Sequence, residues 1–216
     1  MADTALILLP LDPPIHAQQF RQVANGLAHI HTLEPPIHHG NLKPSKILVD
    51  YDNNENLVKI TDVGYLEFRN AVEETISFTQ VDTMGFAGYP APETLAANVS
   101  SPAADIYALA ATILHVISES FPPHADAIRV VEIMKGNKPA RVDHPGIPKD
   151  HPLWALLENM WTFEAANRPR AGKVQFAIQW IQQHPTEAEK VFCEQCDVVY
   201  VPPEKNNLER KGLGEA

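Results

Sequence analysis

Cysteine is nearly absent. The chain of 216 residues holds two, Cys193 and Cys196, close together near the C-terminus. That excludes a disulfide framework, and a closed zinc site needs about four ligands, for which this Cys-x-x-Cys pair has His184 as its one nearby helper. The pair reads either as two thiols in a reducing compartment or as a metal or redox element. Long apolar runs are missing too, since nothing approaches the ~20 residues of a membrane span. The stretch 5–9 is too short for a secretory signal, lacks a basic flank and stops at Pro10. Basic charge is scarce: 17 Lys and Arg against 27 Asp and Glu give a net charge of −10 without any basic cluster, which argues against nucleic acid as a partner. These absences lead to the expectation of an intracellular, cytoplasmic protein with no membrane contact. In that setting the sequon Asn98-Val99-Ser100 is a chance match. There are no internal repeats.

What is present is ordinary for a globular domain. The hydrophobic fraction is 44% and the charged fraction 20%, in a chain long enough for one well-buried domain and a tail. Residues 1–15 are apolar, then proline-rich, and read as an extended lead-in. From 16 to 31, Phe20, Val23, Ala24, Leu27 and His31 keep helical spacing, and Pro35-Pro36 ends the helix. The runs 46–50 and 57–61 are β-prone and flank a polar turn cluster at 52–56, the pattern of a hairpin. From 62 to 93 no period is evident, and a long loop is expected there. Helical stripes follow: Ile106, Leu109, Ala110, Ile113, Leu114 and Ile117; then 125–134; then Leu153, Leu156, Leu157, Met160 and Trp161; then Val174, Ala177, Ile178 and Ile181. Residues 186–216 are polar and read as a flexible tail. The fold class from pattern alone is mainly α with a small β-hairpin.

Residues 39–48, His-Gly-Asn-Leu-Lys-Pro-Ser-Lys-Ile-Leu, resemble the catalytic loop of protein kinases, His-Arg-Asp-Leu-Lys-Pro-x-Asn-Ile-Leu. Further matches follow in the family's order. Thr61-Asp62-Val63-Gly64 is similar to Asp-Phe-Gly, and residues 85–93 (Gly-Phe-Ala-Gly-Tyr-Pro-Ala-Pro-Glu) to the end of the activation segment. Residues 105–110 resemble the start of the central helix, and Asn167-Arg168-Pro169, preceded by Trp161, the late Arg-Pro motif. Single matches of this length recur by chance; the ordered set does not. It covers about residues 16–185 and is closest to tyrosine-kinase-like Ser/Thr kinases.

The resemblance implies the large (C-terminal) lobe of a kinase, with Glu93 and Arg168 as its buried ion pair and Asp105 bonding the backbone of the catalytic loop. It also implies lost chemistry. Asn41 stands where the family has the Asp that accepts the substrate proton, and Lys46 where it has a magnesium-binding Asn. Gly40 replaces the Arg that reads a phosphate on the activation segment, and Phe86 a Thr that bonds the loop. Asp62 is left as a candidate magnesium ligand and Lys43 as a candidate phosphate contact, or both persist as structural residues. A further possibility is that the Lys46 charge stands in for the metal. The first 15 residues contain no glycine and no lysine, so the Gly-rich loop and strand Lys are not found and the small lobe is expected to be absent. The expectation is a pseudokinase acting as a binding or scaffolding module. No cofactor is expected, ATP and magnesium entering only with residual kinase function. Protein partners would sit on the surface left by the small lobe. The alternative is a truncated or weakly active Ser/Thr kinase. Ser77, Thr79 and Thr83 are candidate phosphorylation positions in the activation-like segment.

Overall fold

The computed structural model describes residues 13–50, 57–73, 89–118, 127–144, 147, 151–184, 192–193 and 198–199. Its centre is a helix with almost no polar face. In α4 (Pro102–Ser118) every residue from Ala104 to Leu114 is buried, and so is Val116. A helix apolar on all sides can only be satisfied inside a shell of other elements. Its buried alanines, Ala104, Ala108, Ala110 and Ala111, keep it thin enough to be surrounded closely.

Two further helices complete the layer. In α1 (Pro13–His31), Phe20, Val23, Ala24 and Leu27 are buried; in α7 (Ala171–Gln183), Val174, Ala177, Ile178 and Ile181 are buried, and the two helices pack along each other. The helix α6 (Leu153–Met160) closes another side of α4 with Leu153, Leu156, Leu157 and Met160, and Trp154 and Trp161 are also buried. The helix α5 (Ala127–Met134) contributes Ile133 to the same core.

Strands β1 (Ile47–Asp50) and β2 (Leu57–Ile60) pair antiparallel, with Ile47 opposite Ile60 and Asp50 opposite Leu57. The period of two puts Ile47 and Val49 into the core. The sheet rests on α1, where Gln22 Oε1 accepts the Val58 N–H at 3.0 Å. Gly26 of α1 permits this approach, because a Cβ there would stand 3.0 Å from Ile60 Cδ1. The mainly α architecture with one small hairpin agrees with the sequence pattern.

The described residues depart from the sequence pattern at three places. First, α1 begins at Pro13, inside the expected lead-in, because proline is well suited to a first helical turn whose N–H groups have no partner anyway; residues 1–12 lie outside the described set. Second, the expected loop 62–93 contains α2 (Tyr65–Glu73) and the start of α3 (Pro92–Ala97). Among the described side chains of α2 only Leu66 is buried, so no apolar stripe marks it in the sequence. Third, the expected flexible tail contains a short antiparallel pair, β3 (Phe192–Cys193) with β4 (Val198–Val199), built from strand-favouring residues. Among the described residues no helix is long and apolar enough to cross a membrane.

Candidate functional site

The loop at 38–43 is hung from the central helix by one carboxylate. Asp105, in the first turn of α4 and 1% exposed, accepts the His39 N–H at 2.8 Å on Oδ2 and the Gly40 N–H at 2.9 Å on Oδ1. Its Oδ2 also lies 2.8 Å from His31 Nε2, at the last residue of α1. Three elements thus meet on a buried charge surrounded by donors, the condition under which such a charge is tolerated. The His39 ring is fully buried, and burial pushes its pKa below the ordinary histidine value. A neutral ring fits its contact, since Nδ1 accepts the Asn41 N–H at 3.3 Å.

Asn41 follows, 9% exposed, its amide isosteric with a carboxyl but unable to take up a proton. Lys43 precedes a single 3-10 turn (Pro44–Lys46) whose N1 position is proline. That turn delivers Lys46 to Asp62, and the Lys46 ammonium donates directly to Asp62 Oδ2. Asp62 has φ of 60°, a left-handed conformation that Asp adopts more readily than most residues. The Lys46 hydrogen bond is the main reason that the Asp62 carboxyl is held below the usual carboxylate range. Replacing Lys46 with methionine removes this cause, so the Asp62 carboxyl should titrate at higher pH, back toward the ordinary aspartate range. A pH titration of the Asp62 carboxyl carbon by NMR, in wild type and Lys46→Met, checks it.

Beside Asn41 lies a cavity of about 30 Å³ lined by Gly40, Tyr89, Thr94, Ser100 and Asp105 among others. It has room for a water, against the 300 Å³ or more of typical ligand pockets (roughly, from surveys). Tyr89 closes one wall with its hydroxyl bonded to His115 Nδ1, and burial pushes the phenol up to about 12. His115 is pushed below its ordinary value, also by burial.

The third contact is the best satisfied. Arg168 has no exposed side-chain surface and uses all of its donors. Its Nη1 and Nη2 hold the Glu93 carboxylate at 2.6 and 2.9 Å; Nε donates to Thr162 O at 2.7 Å; the remaining two go to Ala103 O and Phe163 O, each at 3.0 Å. The guanidinium carbon also lies 5.0 Å from the centre of the Tyr107 ring. Glu93 sits in the first turn of α3, where the helix dipole favours a carboxylate.

The sequence-derived candidates therefore divide into contacts. Asp105 meets the backbone ahead of Asn41, Lys46 meets Asp62, and Glu93 meets Arg168. Phe86, Ser77, Thr79, Thr83 and Cys196 lie outside the described residues, whereas Cys193 falls on β3. His31 and the carbonyls of Ala103, Thr162 and Phe163 went unseen in the sequence. His31 has the spacing of an α1 stripe residue, and a main-chain acceptor leaves no mark on residue type. Among the described residues no three His, Cys, Asp or Glu side chains gather in a way that could hold a metal.

The model of the protein kinase domain matches residues 10–185. Among curated relatives, receptor-interacting serine/threonine-protein kinase 4 of Mus musculus is 26% identical over 213 residues, covering 94% of this chain and 25% of the relative. Receptor-interacting serine/threonine-protein kinase 3 of Rattus norvegicus is 25% identical over 164 residues, covering 72% of this chain and 34% of the relative. U-box domain-containing protein 52 of Arabidopsis thaliana is 36% identical over 124 residues, covering 54% of this chain and 14% of the relative. The chain thus spans about a third or less of the length of these relatives.

Proposed function

Because the chain belongs to the protein kinase domain family, we propose that it is a kinase large lobe whose phosphoryl-transfer positions have become structural, a pseudokinase that serves as a binding or scaffolding module. The observation that carries this reading is the Lys46–Asp62 ion pair. Asp62 is the one acidic residue that the family resemblance offers for magnesium, and its carboxylate is already neutralised by an ammonium from the position of the second ligand. A divalent cation approaching Asp62 would meet that ammonium and gain no second oxygen donor, so the residues present do not fit magnesium. The base position is equally unsuited, since the Asn41 amide has no lone pair basic enough to take a hydroxyl proton at neutral pH. By contrast, Asp105, Glu93 and Arg168, whose work is architectural, are fully engaged.

A module of this kind acts through protein partners, in an intracellular, cytoplasmic setting. Val63 and Phe68, 40% and 70% exposed, offer apolar surface in the stretch that follows Asp62.

Thermal shift with ATP, with and without magnesium, tests the reading. The wild-type chain should show no magnesium-dependent stabilisation, whereas 100-fold saturation of a real site adds about 2.7 kcal/mol. Lys46→Asn restores the family's residue and frees Asp62; manganese, used as a paramagnetic probe, should then broaden the Asp62 signals in the variant and spare them in wild type. A magnesium-dependent ATP shift in wild type that disappears in Asp62→Ala overturns the proposal.

A further inference from the structure

Gly40 carries an observation that the loss of an arginine does not explain. Its φ is +74°, and a Cβ built on it would stand 2.8 Å from Leu66 Cβ, 3.2 Å from Leu66 N and 3.2 Å from Ser100 Oγ. Real Cβ atoms do not approach other atoms at 2.8 Å. The space that any other residue's side chain would enter is therefore filled by α2, and Leu66 is 4% exposed.

The rest of α2 is fastened around this point. The Gly64 and Tyr65 N–H groups, which belong to the helix's unpaired first turn, donate to His38 O at 2.9 Å and His39 O at 3.3 Å. His38 Nδ1 lies 3.0 Å from Glu67 Oε1. Further along, Asn70 Nδ2 donates to Asn98 O at 3.4 Å, and the Asn98 amide donates back to Asn70 Oδ1. Asn98 is the left-handed cap that ends α3. The helix thus bridges the loop that carries Asn41 to the far end of the helix that carries Glu93. Among the described side chains of α2, Leu66 is the buried apolar one, so the apolar part of its hold falls on the Leu66 seat.

We propose that Gly40 and Leu66 form a steric latch, in which the missing side chain at position 40 is the seat that fixes α2 on the loop. Helix α2 is then held in one position by residue 40 itself. Where kinases of this family place an arginine that responds to a phosphate, this chain places a socket that needs no modification to close. The latch rests on family membership and not on the absence of phosphoryl transfer, so the two can fail separately.

Hydrogen–deuterium exchange on the full chain tests it, with the α4 amides as an internal reference. Gly40→Asn is the informative substitution, because Asn tolerates a left-handed φ and so isolates the clash from backbone strain. Exchange over 65–71 should rise about tenfold or more while 106–116 keeps its protection. Leu66→Ala weakens the latch from the other side, leaving position 40 untouched, and should release the same amides. If Gly40→Asn does not fold, Leu66→Ala decides alone. Unchanged protection of α2 in Leu66→Ala overturns the latch, and so does loss of protection in α4 in step with α2, which would make the contact part of the global fold. Neither result bears on magnesium or ATP.

Discussion

Arg168→Ala should lower stability by about 3–5 kcal/mol, the range for breaking a buried ion pair from one side. For a chain of this size that corresponds to roughly 6–20 °C in melting temperature. The loss has two sources. The Glu93 carboxylate is left without its partner, and the carbonyls of Ala103, Thr162 and Phe163 lose their donor inside the protein. Arg168→Lys should recover little, because an ammonium has three donors on a mobile stem and cannot reproduce a planar fork of five. Glu93→Ala should cost less than Arg168→Ala. The Glu93 side chain is 26% exposed, so water can reach the abandoned guanidinium edge, whereas Arg168 is fully enclosed. Chemical denaturation of the three variants orders them, and equal losses for Arg168→Ala and Glu93→Ala would mean that the carbonyl contacts contribute nothing.

Asp105→Asn should cost about 1–3 kcal/mol despite its near-identical shape. Both carboxylate oxygens accept, Oδ1 from Gly40 and Oδ2 from His39 and His31. An amide has one acceptor, so its NH2 must face at least one N–H donor, and no rotation of the side chain avoids the collision. Each buried donor left without an acceptor costs about 1–3 kcal/mol. The damage is also local, because the loop from His39 loses its attachment to α4. Exchange at the His39 and Gly40 amides should therefore accelerate more than the global loss accounts for, and equal acceleration across α4 would argue against a local role.

The legible and illegible parts of this chain differ in physical kind. Helices α4, α6 and α7 are written in spacing, because each buries an apolar stripe or, in α4, its whole circumference. Helix α2 is not, since among its described side chains Leu66 alone is buried and the helix is fastened by main-chain bonds to a distant loop. The start of α1 is masked by Pro10, Pro13 and Pro14, which together suggest an extended lead-in, although Pro13 is a favourable first helical residue. At the site, Asn41 and Lys46 stand out once the loop is set beside the family pattern. That Lys46 bonds Asp62 depends on the reach of one 3-10 turn, and spacing is silent about it. His31 is the clearest miss. It fits the α1 stripe by position, and its partner lies 74 residues away.

The polar clamps have a kinetic side. Asp105 joins His39, Gly40 and His31, and Arg168 joins Glu93, across 65 to 75 residues of chain. Closing spans of that length early is entropically unfavourable, so these bonds belong after the collapse of the helices around α4. Contacts formed late are weak in the folding transition state and whole in the native one, so they slow unfolding and leave the folding rate almost unchanged. The buried polar clamps, as well as the apolar core, thereby set how long this domain stays folded once it has formed.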